Sequence, residues 1–218
     1  PGSTNLLSSA GSDVYKGHGL DPSFKGSENY RWNIAFLPGS RKQEVEHSIE
    51  MIIKLAHQRR DLFLWIAGVD NLPIDLYDSI IGLSNVRLVV GKTYEILNLC
   101  DAAIVTSGTA TLETALWNIP QVVCYKAHPI SYLIAKYLVQ IKFISLVNLI
   151  VDKEIVKELI QKDYTIENVL RQVDLLLSDE KTRRKQLTDY QQLNILIGQK
   201  KASETVVEKV YNLVTKPL

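Results

Sequence analysis

The chain has 218 residues, of which 46% are hydrophobic and 22% are charged, and its formal net charge is +1. This is the composition of an ordinary soluble globular protein, at a length that fits one large domain. Because the net charge is close to zero, the chain has no overall positive charge that would attract nucleic acid. The two cysteines, Cys100 and Cys124, indicate buried thiols in a reducing compartment, with no disulfide or metal pair.

Strand and helix patterns alternate along most of the chain. Residues 1–11, rich in Ser and Gly, are predicted to be disordered or a cloning remnant, and 12–31 a linker to a domain of residues 32–218. The predicted strands are 33–37, 62–67, 86–90, 102–105 and 121–125, with a short one near 142–145. The predicted helices are 44–58, 74–81, 94–99, 109–117 and 130–139. From residue 153 onward only helices are predicted: 153–161, 166–177, 181–197 and 203–214.

This alternation predicts an α/β fold, in which a Rossmann-like parallel sheet is sandwiched by helices. The apolar runs Phe63-Leu64-Trp65-Ile66 and Leu88-Val89-Val90 suit strands that are covered on both faces. The last helices form a C-terminal extension of the same domain.

The most informative segment is 102–113, where an apolar strand runs through a small polar turn into a helix. In a parallel sheet this places the free N–H groups of a helix N-terminus at the carboxyl end of a strand, where α/β proteins bind phosphate. Ser107 and Thr109 add hydroxyl donors, and Gly108 lets a ligand approach the backbone closely. Glu113, one turn further on, is placed to accept hydrogen bonds from a sugar. The segment predicts a site for a nucleotide or a sugar phosphate.

A second segment of the same kind lies upstream, where Pro38-Gly39-Ser40-Arg41 separates a strand from a helix. The Arg41 guanidinium is a planar fork that suits phosphate oxygens. A single turn of small residues before a helix is commonly just a connection between a strand and a helix. Two such turns at the same rim of a sheet indicate a shared site. We expect Gly39, Ser40 and Arg41 to join the second turn in a cradle of unpaired amide N–H groups.

Together these segments resemble lipid-A-disaccharide synthase, a family of inverting glycosyltransferases of bacterial lipid A assembly. Order and spacing agree from about Tyr15 to the C-terminus. The 107–113 motif recurs in other transferases of the GT-B fold, whereas Pro-Gly-Ser-Arg and Ser-Leu-x-Asn-Leu narrow the choice to this family. The matching pieces are 37–41 with Glu44-Val45, 107–113, 120–126, 145–149 and 154–161.

The resemblance implies that the chain is the C-terminal, donor-binding half of a two-domain GT-B enzyme. The implied donor is UDP-2,3-diacylglucosamine, the acceptor is 2,3-diacylglucosamine 1-phosphate (lipid X), and the product is the β-1,6-linked disaccharide. The acceptor half, which carries the family's proposed catalytic carboxylates, has no counterpart here. No catalytic residue is therefore expected in this half beyond Arg41, which would stabilise charge on the departing UDP, and this half is expected to be inactive alone.

Further binding residues follow from position and from the resemblance. Tyr125 and Lys126 follow a predicted strand at the ligand rim, where Lys126 would screen phosphate charge. Asn148 would contact the donor sugar or phosphate, and Glu113 would bind the ribose hydroxyls. No metal or other cofactor is expected, because the chain has no Asp-x-Asp pair and its histidines lack partners at metal-ligand spacing.

Two departures from the family pattern affect this interpretation. Val147 stands where the family usually has Pro, and Asp152-Lys153 stands where it tends to have Gly-Arg. Lys153 keeps the positive charge but loses the bidentate fork, which weakens the case for a phosphate contact there.

The segment 129–151 is unusually apolar and aromatic, but Lys136 and Lys142 interrupt it, so it is no membrane-spanning helix. It either packs in the core or forms an amphipathic surface against a membrane or an acyl chain. The resemblance implies a bacterial cytoplasmic enzyme, peripheral at the inner membrane, and a homodimer is a further expectation. The alternatives are another UDP-sugar-dependent GT-B transferase or epimerase, and a non-catalytic nucleotide- or membrane-binding module.

Overall fold

The computed structural model describes residues 29–106, 108–126 and 142–199. Within them, six strands form one parallel sheet in the order β3-β2-β1-β4-β5-β6. The strands are β1 (Trp32–Leu37), β2 (Leu62–Gly68), β3 (Val86–Val90), β4 (Ala102–Thr106), β5 (Gln121–Tyr125) and β6 (Lys157–Ile160). The predicted Rossmann-like parallel sheet is therefore confirmed, and strands 33–37 to 121–125 lie where the sequence places them, to within one residue at each end.

Helices connect and cover these strands. They are α1 (Lys42–Gln58), α2 (Thr93–Leu99), α3 (Thr109–Leu116), α4 (Leu146–Val151), α5 (Ile166–Ser178) and α6 (Glu180–Gln199), with short 3₁₀ helices at Ile74–Ile80 and Gln161–Asp163. The helices predicted at 130–139 and 203–214, and the assignments made for residues 1–28, lie outside the described residues.

Both faces of the sheet are buried, as the apolar strand runs predict. All seven residues of β2 and all five of β4 are buried. Alternate residues divide between the faces: Ile34 and Phe36 of β1 pack with α1 and α5, whereas Ala35 and Leu37 share a cluster with α2. The helices that follow β1 and β4 thus leave toward opposite faces, since Ala110 of α3 packs on the Leu37 side.

The chain changes direction across the sheet between β1 and β4. From β1 it proceeds outward to β2 and β3, and it then returns to place β4 on the other side of β1, where Leu37 is level with Val105. In such sheets the crevice outside the carboxyl ends of the strands, at the point where the order reverses, is where ligands bind. The turns after β1 and β4 flank this crevice.

Two element predictions are wrong. Residues 142–145 form bends that lead into α4, and the sixth strand is instead β6, which lies inside the segment predicted as helix 153–161. β6 pairs in parallel with β5, with Val122 level with Lys157. It has four residues, of which only Leu159 is buried, so its pattern lacks the apolar run of an inner strand.

The C-terminal helices pack onto the sheet. The Gln186 side chain of α6 accepts a hydrogen bond from the Gln121 backbone N–H at 2.7 Å and donates one to the Gln121 carbonyl at 3.0 Å. Arg183 donates to the Asp101 carbonyl at 2.7 Å. Residues 166–198 therefore belong to the same packed unit as the strands.

Candidate functional site

A cleft of about 440 Å³ opens between the turns that follow β1 and β4. It brings together six of the predicted binding residues: Gly39, Ser40, Arg41, Gly108, Thr109 and Glu113. Glu44, Thr93, Thr106 and Ala110 also line it, over an apolar floor of Leu37, Ala67 and Val69. The two segments that the sequence singled out thus converge on one cleft at the reversal point of the sheet. Ser107 lies outside the described residues.

The turn after β4 leaves the start of α3 open. Gly108 precedes the helix with φ 151° and ψ −162°, and among the described residues no side chain caps this end and no acid lies in its first turn. A Cβ added at Gly108 would have no described heavy atom within 4 Å. Because the first N–H groups of an α-helix have no acceptor within the helix, this end of α3 is suited to an anion in the cleft.

The turn after β1 is arranged differently, because Glu44 of α1 folds back onto it. Glu44 Oε2 accepts hydrogen bonds from the backbone N–H groups of Ser40 at 3.1 Å and Arg41 at 3.3 Å. Gly39, with φ +98°, packs so closely on this carboxylate that a Cβ there would overlap Oε2. The prediction that both turns offer free amides is therefore wrong at the first turn, where a side chain of the protein already occupies them.

Arg41 nonetheless reaches the cleft. Its side chain is 79% exposed, and its Nη1 donates to Glu44 Oε1 at 3.2 Å. A guanidinium has five N–H donors, so one bond to Glu44 leaves the others for a ligand. Among the described residues that line the cleft, Arg41 is the cationic side chain that can pair with a phosphate.

Glu113 lies near an aromatic side chain, Tyr94. The negative charge of Glu113, with burial, raises the pKa of Tyr94. The Tyr94 ring is stacked on Trp117, with centroids 5.5 Å apart and planes at 18°. Tyr94 belongs to α2, which follows β3, so the sequence alone did not identify it as a neighbour of the 107–113 motif. The structure adds Thr93 and Tyr94 to the residues in and around the site.

Tyr125 and Lys126 are not brought into the cleft. Tyr125 ends β5, where it is level with Ile160 of β6, and Lys126 follows it as an exposed residue. β4 separates this strand from β1. The two residues share the rim but do not line the cleft.

Asn148 has a structural position that argues against the predicted ligand contact. The residue is fully buried. Its side chain accepts from the backbone N–H groups of Ile155 and Val156 at 2.8 and 3.0 Å, and it donates to the Val156 carbonyl and to Glu158 Oε1, each at 2.8 Å. These four bonds tie α4 to the segment that becomes β6 and use the full capacity of the amide. We therefore leave Asn148 out of the site.

The positions that depart from the family pattern also have internal partners. Asp152 adopts a left-handed conformation, with φ 54° and ψ 36°, that favours Gly. Lys153 Nζ lies 3.0 Å from Asp189 on α6, whose carboxylate also accepts from Lys185 at 2.9 Å. Burial opposes the charge on Asp189, but the hydrogen bonds from Lys185 and Lys153 outweigh it and lower its pKa. Val147 of α4 is fully buried in a cluster with residues of α3 and α6.

Neither cysteine lies in the cleft. Both Cys100 and Cys124 are buried free thiols, as predicted, and burial raises the pKa of each.

In the described part of the chain, no three His, Cys, Asp or Glu side chains are grouped so as to hold a metal ion. Within the same residues no helix is long and apolar enough to cross a membrane. The part of the apolar stretch that forms α4 packs in the core through Val147 and Ile150.

A larger but shallow depression of about 650 Å³ runs along α5. Residues of this helix and of the turn after it line the depression, and Glu167, Asp174 and Asp179 are among them. Three carboxylates of the described lining face one lining cation, Arg171, and Asp174 is also paired with Arg59. Because this balance is still negative, the smaller cleft between the two turns is the better candidate for a phosphate ligand.

Solved structures share this fold, and one of them is the glycosyltransferase SnogD. SnogD from Streptomyces nogalater superimposes with a TM-score of 0.50 at 22% identity, covering 82% of this chain and 44% of that one. TarM superimposes with a TM-score of 0.52 at 14% identity, covering 86% of this chain and 36% of that one. At these identities the likeness shows the fold alone. In each case it covers less than half of the larger enzyme.

Sequence comparison is more specific. Residues 23–210 match the family described as lipid-A-disaccharide synthetase. The chain is 33% identical over 191 residues to lipid-A-disaccharide synthase of Anaeromyxobacter dehalogenans (strain 2CP-C), covering 84% of this chain and 50% of the relative. It is 34% identical to that of Gloeothece citriformis (strain PCC 7424), covering 83% and 49%. The chain thus spans about half the length of these curated relatives. It belongs to the lipid-A-disaccharide synthetase family.

Proposed function

We propose that the chain is the UDP-sugar-binding half of a lipid-A-disaccharide synthase. The full enzyme transfers 2,3-diacylglucosamine, with inversion, from UDP to 2,3-diacylglucosamine 1-phosphate (lipid X). The product is the β-1,6-linked disaccharide. Family membership supports the reaction, and the partial match to relatives of twice the matched length supports the assignment of this chain to one half.

The observation that carries the proposal is the convergence of Arg41 with the open N-terminus of α3 in one cleft. A diphosphate carries its charge on non-bridging oxygens, which accept readily from helix N–H groups and from a guanidinium. The proposed contacts are Gly108, Thr109, Ala110 and the free donors of Arg41.

In this proposal, Glu113 binds the ribose of the nucleotide. Its carboxylate lines the cleft one turn along α3, where it accepts hydrogen bonds from the ribose hydroxyls. A solved TarM variant with the same fold was crystallised in complex with fondaparinux, α-GlcNAc-glycerol and UDP, which is consistent with nucleotide binding on this architecture.

The proposed chemistry needs a place for developing negative charge. The 6-hydroxyl oxygen of the acceptor forms a bond to the anomeric carbon of the donor, and the bond from that carbon to the diphosphate oxygen breaks. UDP leaves with the electron pair, and the hydroxyl proton goes to a base in the other half. The α3 N-terminus and Arg41 stabilise the leaving charge without a metal, so this half binds UDP but transfers nothing by itself.

The proposed partners follow from the same reaction. They are the two acylated sugars, the acceptor-binding half that precedes this chain, and the cytoplasmic face of the inner membrane, where such substrates reside. A homodimer of the full enzyme is part of the proposal.

Calorimetric titration of the purified chain with UDP tests the proposal. Wild type is expected to bind weakly but measurably below millimolar nucleotide. Arg41→Met is expected to weaken binding at least about tenfold, because a hydrogen bond to a charged group contributes about 1.5–3 kcal/mol. Lys42→Met is the control: it removes the same charge one residue away, from a side chain that pairs with Glu46 at 3.8 Å and does not line the cleft.

Three outcomes would contradict the proposal in whole or in part. Absence of UDP binding by wild type up to millimolar nucleotide favours an inert module. Equal losses in the Arg41 and Lys42 variants would mean that general positive charge, and not the cleft, attracts the nucleotide. Sugar transfer by the purified chain would refute the placement of the base in the other half.

A further inference from the structure

Glu44 lines the edge of the cleft and pairs with Arg41, the cationic side chain among the described lining residues. We propose that Glu44 is a positioning residue for donor binding: its carboxylate fixes the 38–41 turn and aims the Arg41 guanidinium at the diphosphate. This inference rests on the proposed function, since it concerns the same ligand and the same cleft.

Both oxygens of the Glu44 carboxylate are in use. Oε2 accepts from the Ser40 and Arg41 backbone N–H groups at 3.1 and 3.3 Å, and Oε1 accepts from Arg41 Nη1 at 3.2 Å. The side chain is only 13% exposed. One carboxylate thus joins the backbone of the turn to the side chain that projects from it.

The backbone of the turn is shaped around this carboxylate. Gly39 has φ +98°, a conformation that L side chains rarely adopt, and it has no room for a Cβ because Glu44 lies against it. Ser48 Oγ donates to the Glu44 carbonyl at 2.9 Å and lies 3.4 Å from the Pro38 carbonyl, which links the first turn of α1 to the start of the loop. The position of Glu44 is therefore set by its surroundings on both sides.

Arg41 needs such a partner. Its side chain is 79% exposed, so without Glu44 the guanidinium would sample many rotamers. Ordering a long side chain on binding costs about 0.5–1.5 kcal/mol, which a preorganised contact reduces. Since Nη1 alone is engaged by Glu44, the remaining N–H donors stay available to phosphate oxygens.

A competing role for Glu44 predicts the opposite sign. If Glu44 only occupied an anion site that phosphate must take, its removal would strengthen UDP binding. That role would require phosphate to displace three hydrogen bonds of the carboxylate, although the N-terminus of α3 lies open in the same cleft. The geometry therefore favours a supporting carboxylate over a competing one.

The test is titration with UDP of wild type, Glu44→Gln, Arg41→Met and the double variant. Glu44→Gln is expected to weaken binding about threefold to tenfold, the loss that corresponds to an unfixed arginine. In the Arg41→Met background the same substitution is expected to change nothing, because the side chain that it positions is gone. A purely structural contribution would instead be additive.

Two further variants serve as controls. In the first, Thr165→Ala removes the N-cap of α5, where Thr165 Oγ1 accepts a hydrogen bond of 3.3 Å from the Asn168 N–H. This cap does not line the cleft, so its loss should lower stability without changing UDP affinity. Glu44→Asp keeps the charge but shortens the side chain, so positioning predicts a loss like that of Glu44→Gln, whereas simple charge repulsion predicts wild-type affinity. Thermal melts establish that each variant is folded.

Unchanged or tighter binding by Glu44→Gln overturns the inference, as does full additivity with Arg41→Met. If Arg41→Met weakens binding and Glu44→Gln does not, the inference alone fails. If wild type does not bind UDP, or if Arg41→Met has no effect, the proposed function fails first.

Discussion

The turns after β1 and β4 share one sequence pattern, an apolar strand followed by small residues and a helix, yet they present different surfaces to the cleft. At the first turn, the third residue of α1 is Glu44, whose carboxylate takes the amides of Ser40 and Arg41. At the second turn, the third residue of α3 is Thr111, whose hydroxyl donates to the Gly108 carbonyl at 2.8 Å, and no side chain among the described residues caps the amides of Thr109 and Ala110.

The difference shows that a strand–turn–helix pattern does not by itself create an anion site. A helix N-terminus attracts whichever acceptor is nearest, and an acidic residue in its first turn is the nearest of all. In this chain the first turn contributes a side chain, Arg41, and the second contributes backbone. The two halves of the cleft therefore bind the same ligand by different means.

Gly108 offers the strongest test of the second turn. Gly108→Leu is expected to abolish measurable UDP binding, a loss of at least about a hundredfold, because its side chain would enter the open space in front of the α3 amides. Two hydrogen bonds to a charged oxygen, at about 1.5–3 kcal/mol each, account for a loss of that size. Calorimetry measures it.

Gly82→Leu is the matched control for that experiment. Gly82 also has a positive φ, +92°, with no described atom within 4 Å of an added Cβ, but it does not line the cleft. Equal loss of UDP binding in both variants would mean that backbone strain, and not blocked amides, is responsible.

Asn148 tests whether α4 contributes to UDP binding together with the two turns. Asn148→Ala is expected to lower the free energy of unfolding by about 2–4 kcal/mol, because it leaves the Ile155 and Val156 amides buried without an acceptor. Urea denaturation measures this loss, and Asn194→Ala, at an exposed position on α6, should change stability by no more than about 0.5 kcal/mol. UDP affinity of the folded variant should equal that of wild type; a selective loss would return Asn148 to the site.

Glu113 tests whether the helix after the second turn binds the ribose of the nucleotide as well as the diphosphate. Glu113→Gln is expected to weaken UDP about fivefold, since hydrogen bonds to a charged acceptor are roughly twice as strong as neutral ones. The same substitution should affect 2′-deoxy-UDP less, because that ligand lacks one of the hydroxyls. Glu46→Gln, an exposed carboxylate outside the cleft, should affect neither ligand. Equal effects on both nucleotides would remove Glu113 from the ribose contact.

The sequence predicts most of the fold because inner strands carry their own signal. β1 to β5 are runs of apolar residues between polar turns, and all were located. β6 was missed because Lys157 is exposed and Leu159 alone is buried, so four residues at a sheet edge match a helical period as well as a strand. The pairing that defines this strand comes from β5, which is distant in sequence.

The site was predictable where it depends on local order and not where it depends on tertiary neighbours. Gly39–Arg41 and Gly108–Glu113 follow from the strand–turn–helix pattern. The capping role of Glu44 was not predicted, although an acid at the third position of a helix is a common cap and was the available signal. The electrostatic effect of Glu113 on Tyr94, and the four hydrogen bonds of Asn148, connect segments whose contact no local pattern reveals.

A crystal structure of the chain with UDP tests the account most directly. We predict that the diphosphate lies within hydrogen-bonding distance of the Thr109 and Ala110 amides and of Arg41, while Glu44 stays on the Ser40 and Arg41 amides. A diphosphate seated on the Ser40 and Arg41 amides with Glu44 displaced, or a nucleotide bound away from the cleft, would contradict it.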